Sequence, residues 1–226
     1  MALSGGLSDH RCHSDFYRCF LNQVTTKTTI DLLRHGEPVG GKRYRGQLDD
    51  PLSERGWGEM KFAVSAETPW EAIISSPLRR CSEFACYLSE QLSLPLDIDE
   101  RFKEVGFGTW EGLTRDQLRA NDKDILKRFY RDPANNRPEG AEPLATFNSR
   151  VNNAYTDAVH KHQGKHILII AHAGVIRSIL TQTLAAPINT MYRLSIETAR
   201  LSRIQIDDER PATLVFMGRR RLSDQK

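Results

Sequence analysis

The chain is 226 residues long, 39% apolar and 27% charged, with 32 lysines and arginines against 29 aspartates and glutamates. That length suits one sizeable domain that buries its own core without a disulfide framework or structural metal, and the ordinary share of charge argues against disorder. A net charge of +3 is too small to make nucleic acid the expected partner, and no apolar run approaches the ~18 residues of a membrane span.

Four cysteines, Cys12, Cys19, Cys81 and Cys86, form no C-x-x-C pair. They suit neither a zinc site nor a disulfide framework, so a reducing cytoplasm is the expected compartment. Residues 1–27 carry Asp9 and Asp15 beside Arg11 and Arg18 and no apolar stretch of the secretory type. They read as a weakly ordered extension, and 218–226, with Arg219-Arg220-Arg221, as a basic tail.

Thr28 to Leu33 reads as a strand running into Arg34-His35-Gly36-Glu37-Pro38. A glycine-rich loop over 40–50 follows, and Ser53 opens a predicted helix reaching about Glu67. Ala72 to Ser75 is a second short strand. Pro77 suits the first turn of a helix over about 78–93, which sets Cys81, Phe84, Ala85 and Leu88 on one side. Leu94 to Ile98 is a weaker strand, split by Pro95. Residues 114–131 and 144–163 read as amphipathic helices around a loop at 132–143. His166 to Ala171 is a strand apolar on both faces, and a helix over 174–184 and strands 201–206 and 213–217 complete the pattern. Such alternation predicts an α/β fold, a three-layer αβα sandwich around a mostly parallel sheet in one domain over 28–217. Residues 104–143, polar and turn-rich, look like a helical and loop insertion capping a site.

Open α/β sheets bind ligands at the carboxyl ends of their strands. Here two strands end alike, one in Arg34-His35-Gly36 and the other in His172-Ala173-Gly174. Each offers an imidazole followed by a glycine that lets backbone N–H groups approach a ligand. After His172 the chain enters a helix, whose N-terminus favours an anion. Either histidine alone is an ordinary hydrogen-bonded strand end; two at one sheet edge are a sharper signal. His10, His13, His160, His162 and His166 read as solvated surface residues. Arg34, Arg79 and Arg80 add guanidinium groups that fork onto phosphate oxygens and stabilise a transferring phosphoryl group. Among the carboxyls Glu100, Glu104 and Glu111, the aromatics and glycines around Glu104 would desolvate it as a general acid requires. Composition alone leaves Glu104 and Glu111 tied.

The motifs LLRHGEP (32–38), SSPLRRC (75–81), EVGFGTWEG (104–112) and IAHAGVIR (170–177) resemble, in this order, the histidine phosphatase superfamily in its phosphoglycerate-mutase-like branch. The resemblance covers about 28–217. It implies metal-independent hydrolysis of a phosphorylated small molecule, with no cofactor and no nucleic-acid or membrane partner; oligomeric state is left open. It further implies that His35 is the nucleophile and that Arg34, Arg80 and a protonated His172 hold the phosphate, Arg79 being variable. Glu104 rather than Glu111 matches the acid/base. PEGAEPLATFNSR (138–150) resembles the family's PGGES…R segment, with Ala141 replacing a glycine and Glu142 structural. The loop from Pro38 to Gly46 is shorter than in many members and offers glycines where they carry a phosphate-contacting Asn, which favours a phosphatase over a mutase.

Within the superfamily, DLLRHGE, the short glycine loop, LDDPLSERGW and SSPLRRC look most like the α-ribazole-5′-phosphate phosphatases of cobalamin assembly. A mutase-type phosphotransferase and a non-catalytic phospho-ligand-binding protein are the alternatives. Lys42, Arg43, Tyr44, Arg45 and the 113–137 region form the expected rim around the leaving group. Cys12 and Arg18 fit the C-x5-R spacing of a tyrosine-phosphatase loop. No strand precedes them and no glycine lies between, so chance accounts for that match.

Overall fold

The structure, a computed structural model, describes residues 1–2, 27–66 and 68–223. Almost all of the 1–27 extension, with His10, Cys12, His13, Arg18 and Cys19, lies outside the described residues, as does Glu67. Six strands, β1 (Thr28–Arg34), β2 (Ala72–Ser75), β3 (Leu96–Ile98), β4 (His166–Ala171), β5 (Leu201–Ile206) and β6 (Thr213–Arg219), form one sheet ordered β3-β2-β4-β1-β5-β6. The first four in that order run parallel, and β5 and β6 add an antiparallel edge.

Side-chain alternation along the central strands divides the core in two. Ile30, Leu32, Ile167 and Ile169 face one cluster, which α5 (Leu144–Lys161) and α6 (Ala173–Thr183) cover with Phe147, Val151, Ile176 and Ile179. Leu33, Leu168 and Ile170 face the other, covered by α1 (Glu54–Ala63) and α2 (Arg79–Leu92) through Met60, Cys81, Phe84 and Leu88. A helix layer on each face of a mostly parallel sheet is the expected αβα sandwich. Burial on both faces also explains why HILIIA lacks polar alternation.

Local chemistry moves several boundaries. The expected helix over 114–131 is two, α3 (Arg115–Asn121) and α4 (Ile125–Arg131). Asp122 between them is extended, and its carboxylate accepts the Asp124 N–H at 3.0 Å and pairs with Arg128, displacing the helical ladder. Pro77 stands before α2 rather than in its first turn, because Leu78 is the extended cap and its N–H donates to the Ser76 hydroxyl at 3.3 Å. β3 begins after Pro95, which has no N–H for the ladder. Two histidines expected at the surface are not solvated: His162 is buried, and His166 is bonded to a buried carboxylate.

That carboxylate is Asp31, fully buried on β1. It accepts from Trp70 Nε1 at 2.8 Å, His166 Nε2 at 2.9 Å, and Arg203 Nε and Nη2 at 2.8 and 3.0 Å. Burial pushes its pKa up, but the hydrogen bonds from His166 and Arg203 outweigh burial and hold it below the ordinary carboxylate value. With the folded pKa below the unfolded one, this stabilisation is complete above about pH 4 and is lost as pH falls through the folded value. Asp31→Ala, which leaves Arg203 and Trp70 without their acceptor, should cost about 3–5 kcal/mol in urea unfolding at neutral pH. The gap from wild type should shrink in more acid buffer; a gap independent of pH would refute the ion-pair account.

Candidate active site

Register builds the site. Arg34 on β1 is the Cα partner of Ala171 on β4, and Ser75 on β2 of Ile170. The strands are parallel, so the next residues, His35, His172 and Ser76, leave the sheet side by side. The His35 N–H donates to the Ala171 carbonyl and the Ser76 N–H to that of Ile170, both at 3.0 Å. The two imidazoles meet edge-on, with ring centroids 5.2 Å apart.

His35 Nδ1 lies 2.7 Å from the Gly36 carbonyl. A carbonyl can only accept, so Nδ1 carries the proton and Nε2 keeps a lone pair. His35 lines a pocket of about 340 Å³. His172 sits behind it, fully buried and outside the pocket wall, with Nε2 2.7 Å from the Ser76 hydroxyl. Burial first, then Arg34 and Arg80, hold the His35 pKa well below the ordinary imidazole value. For His172 burial again leads, followed by Arg80, His35 and Arg34. Against the protonated His172 expected from the sequence, burial and the neighbouring arginines favour the neutral ring.

Arg34 and Arg80 line the same pocket. Arg34 Nη1 donates to the Ile196 carbonyl at 2.6 Å. Burial pulls its pKa down to about 10 against the opposing charge of Glu104, which leaves it a cation at neutral pH. Arg80, in the first turn of α2, donates to the carbonyls of Leu48 at 2.6 Å and Gly46 at 2.9 Å. In both residues Nε is buried without an acceptor among the described residues. Arg79 instead points outward and pairs with Glu83 at 2.7 Å.

Glu104 lines the pocket; Glu111 does not. The Glu104 carboxylate accepts the N–H of Val105 at 2.9 Å and that of Gly174, in the first turn of α6, at 3.1 Å. A Cβ at residue 174 would stand 2.1 Å from Glu104 Oε1, so a side chain there would push this carboxylate out of place. Behind the segment, Arg150 of α5 donates to the carbonyls of Arg101, Lys103 and Glu104 and forks onto Glu142 at 2.7 and 2.8 Å. Glu142 thus has the structural setting expected of it.

The insertion walls the pocket through Val105, Phe107, Arg115 and Tyr130, as the sequence suggested. Arg43 and Arg45 line it too, each tied into its loop. Arg43 donates to the Gly40 carbonyl at 2.6 Å, and Arg45 pairs with Asp50 at 2.9 Å. Lys42 faces a neighbouring cavity instead. Sequence reasoning missed Arg177, Tyr192 and Arg193. Arg177 was findable, standing one helical turn beyond Ala173 in the quoted IAHAGVIR motif; Tyr192 and Arg193 sit in a 3₁₀ segment with no periodic pattern. Among the described residues no group of three or more His, Cys, Asp or Glu could hold a metal, and no helix is long and apolar enough to cross a membrane. Burial pushes the Cys81 thiol up to about 12, so it is no nucleophile at neutral pH.

If burial and the two arginines set these imidazoles, the C2 proton shifts of His35 and His172 should stay flat from about pH 8 to about pH 6. Titration of either ring near 6.5 in the free protein would contradict the argument.

The family model of the histidine phosphatase superfamily (branch 1) matches residues 30–217. The bifunctional protein Rv2228c of Mycobacterium tuberculosis is 30% identical over 182 residues, 78% of this chain and 50% of that protein. The chain thus spans about half the length of this relative. A mycobacterial glucosyl-3-phosphoglycerate phosphatase structure superposes with a TM-score of 0.76 at 25% identity, covering 85% of this chain and 99% of the other. The α-ribazole phosphatase of Shigella flexneri shares the fold, with a TM-score of 0.73 at 23% identity over 88% of this chain and 100% of the other. By its family match and by paired imidazoles at one sheet edge, the chain belongs to the histidine phosphatase superfamily, branch 1.

Proposed function

We propose that this chain hydrolyses phosphomonoesters through a phosphohistidine formed at His35. One observation carries the reading: His35, whose Nδ1 proton is turned to the Gly36 carbonyl, lines a pocket shared with Arg34 and Arg80, whose buried Nε donors have no acceptor among the described residues. Phosphate oxygens supply what those donors need.

In the first step the Nε2 lone pair forms the P–N bond while the ester P–O bond breaks. Arg34 and Arg80, aimed by backbone carbonyls before substrate arrives, hold the equatorial oxygens. Glu104 gives its proton to the departing alkoxide. In the second step water attacks phosphorus and yields a proton to Glu104, and the P–N electron pair returns to His35. His172 supports the His35 ring edge-on. A bound phosphate dianion adds negative charge beside His172 and so draws it toward its protonated, phosphate-holding form.

For the leaving group, the sequence motifs favour α-ribazole 5′-phosphate, and a likeness of fold to an α-ribazole phosphatase supports that choice in shape alone. The arginine-rich wall argues instead for an alcohol part that carries an acidic group. Phosphate release from α-ribazole 5′-phosphate, compared with sugar phosphates and phosphoglycerates, tests the assignment, and stoichiometric free phosphate separates hydrolysis from mutase-type transfer.

Alkaline quenching of wild-type protein with 4-nitrophenyl phosphate should capture one phosphoryl group on the peptide bearing His35, and His35→Ala should abolish both adduct and turnover. Near-normal turnover by His35→Ala would overturn the reading. Glu104→Gln should slow alkyl esters by about 10²-fold or more and 4-nitrophenyl phosphate far less, since a good leaving group needs no proton. Gly174→Ala should reproduce this pattern, because its methyl group displaces the same carboxylate.

A further inference from the structure

Seven arginines line the pocket against one carboxylate, Glu104. Among the described residues only Arg45 of the seven has an acidic partner, Asp50. Elsewhere the chain pairs its arginines readily, as Arg101 with Asp99 and Asp157, and Arg203 with Asp31. The imbalance therefore belongs to the site. A phosphoester dianion on the floor answers Arg34 and Arg80, and cations on the wall remain uncompensated.

Two of these are held in a built arrangement. Arg115 Nη2 donates to the Tyr130 hydroxyl at 2.8 Å, and its guanidinium lies over the Tyr130 ring at 5.5 Å. Arg177 Nε donates to the Leu194 carbonyl at 2.9 Å, and its guanidinium lies over the Tyr192 ring at 5.4 Å. The Tyr130 and Tyr192 rings touch at 5.7 Å, which sets the two guanidiniums on adjacent supports. Neutral acceptors and ring faces orient them without cancelling their charge. The Tyr192 hydroxyl beside them is buried and, although Arg137 lies close enough to interact with it, makes no hydrogen bond of good geometry among the described residues. All three residues share the pocket with Glu104, on whose side the alcohol departs.

We infer that the substrate is a phosphomonoester whose alcohol part carries a second anionic group, a carboxylate or phosphate, received by Arg115, Arg177 and the Tyr192 hydroxyl. The inference rests on the hydrolase reading of the pocket floor. It makes Arg115 and Arg177 specificity-determining, since a neutral alcohol leaves their charge unanswered inside the cleft.

Three matched esters test it: propyl phosphate, the phosphate ester of 3-hydroxypropanoate, and 1,3-propanediol bisphosphate. Wild-type kcat/KM should favour one or both of the esters carrying a second anionic group over propyl phosphate by about tenfold or more, mainly through KM; the preferred member identifies the second group. Arg115→Gln and Arg177→Gln should each cut that ratio severalfold, and Arg→Lys at either position should restore part of it. Equal kcat/KM for the three wild-type reactions overturns the inference, as does a variant that slows all three in parallel. If no ester releases phosphate, the hydrolase reading fails, and calorimetric binding of the same compounds still decides this one: tighter binding of a compound with the second anionic group than of propyl phosphate upholds it and equal affinities refute it.

Discussion

The pairing of Arg34 with Ala171 across two central parallel strands sets His35 and His172 at one height on one edge of the sheet. Side chains alternate with a period of two along a strand, so a slip of one residue would turn one imidazole away from the other and invert every core contact of β4. Hydrophobic pattern opposes that slip on both faces. Asp31 opposes it a second way, because its buried carboxylate takes donors from His166 at the start of β4 and Arg203 on β5. A polar network three residues below Arg34 thus pins β4, β1 and β5 in the register on which the imidazole pair depends.

The arginines divide by the kind of acceptor that orients them. Arg150 forks onto Glu142, and Arg203 onto Asp31; each is neutralised and serves as a brace. Arg34 and Arg80 are held by carbonyl oxygens of Ile196, Leu48 and Gly46. A carbonyl fixes direction and leaves the full charge available, which is what a preorganised anion site requires. Burial first, and the same charge after it, hold the His35 and His172 pKa values well below the ordinary imidazole value. For His35 this preserves the lone pair.

Much of this was legible in the chain. Both imidazoles and both inner arginines stand in short motifs at or just beyond the ends of patterned strands, Glu104 stands in the EVGFGTWEG motif, and β2, β4 and β5 fall where apolar runs put them. What escaped reading depends on distant partners. His166 looks solvated because it begins a strand, yet its acceptor stands 135 positions earlier. Tyr192 belongs to a segment without periodicity and reaches the pocket only through the packing of Phe129 and Tyr130 against it. The break at Asp122 had a local signal, the run Asn121-Asp122-Lys123-Asp124, which the surrounding apolar periodicity outweighed.

Glu111, the carboxyl that composition could not separate from Glu104, shows how floor and wall are joined. One of its oxygens accepts the N–H of Gln47 at 3.0 Å and that of Phe107 at 2.9 Å, fastening the glycine-rich loop to the insertion. The fastening is close: Gly46 adopts φ +50°, and a Cβ there would lie 2.0 Å from Glu111 Oε1. Gly46 and Leu48 of that loop supply the carbonyls that aim Arg80. Phe107 of the insertion packs on Tyr44 and lines the pocket. The pocket wall and the Arg80 guanidinium therefore hang on one carboxylate. A change in the wall cannot shift Phe107 freely without tilting the loop that holds Arg80, so, on the proposed reading, leaving-group selection and phosphate orientation are mechanically coupled.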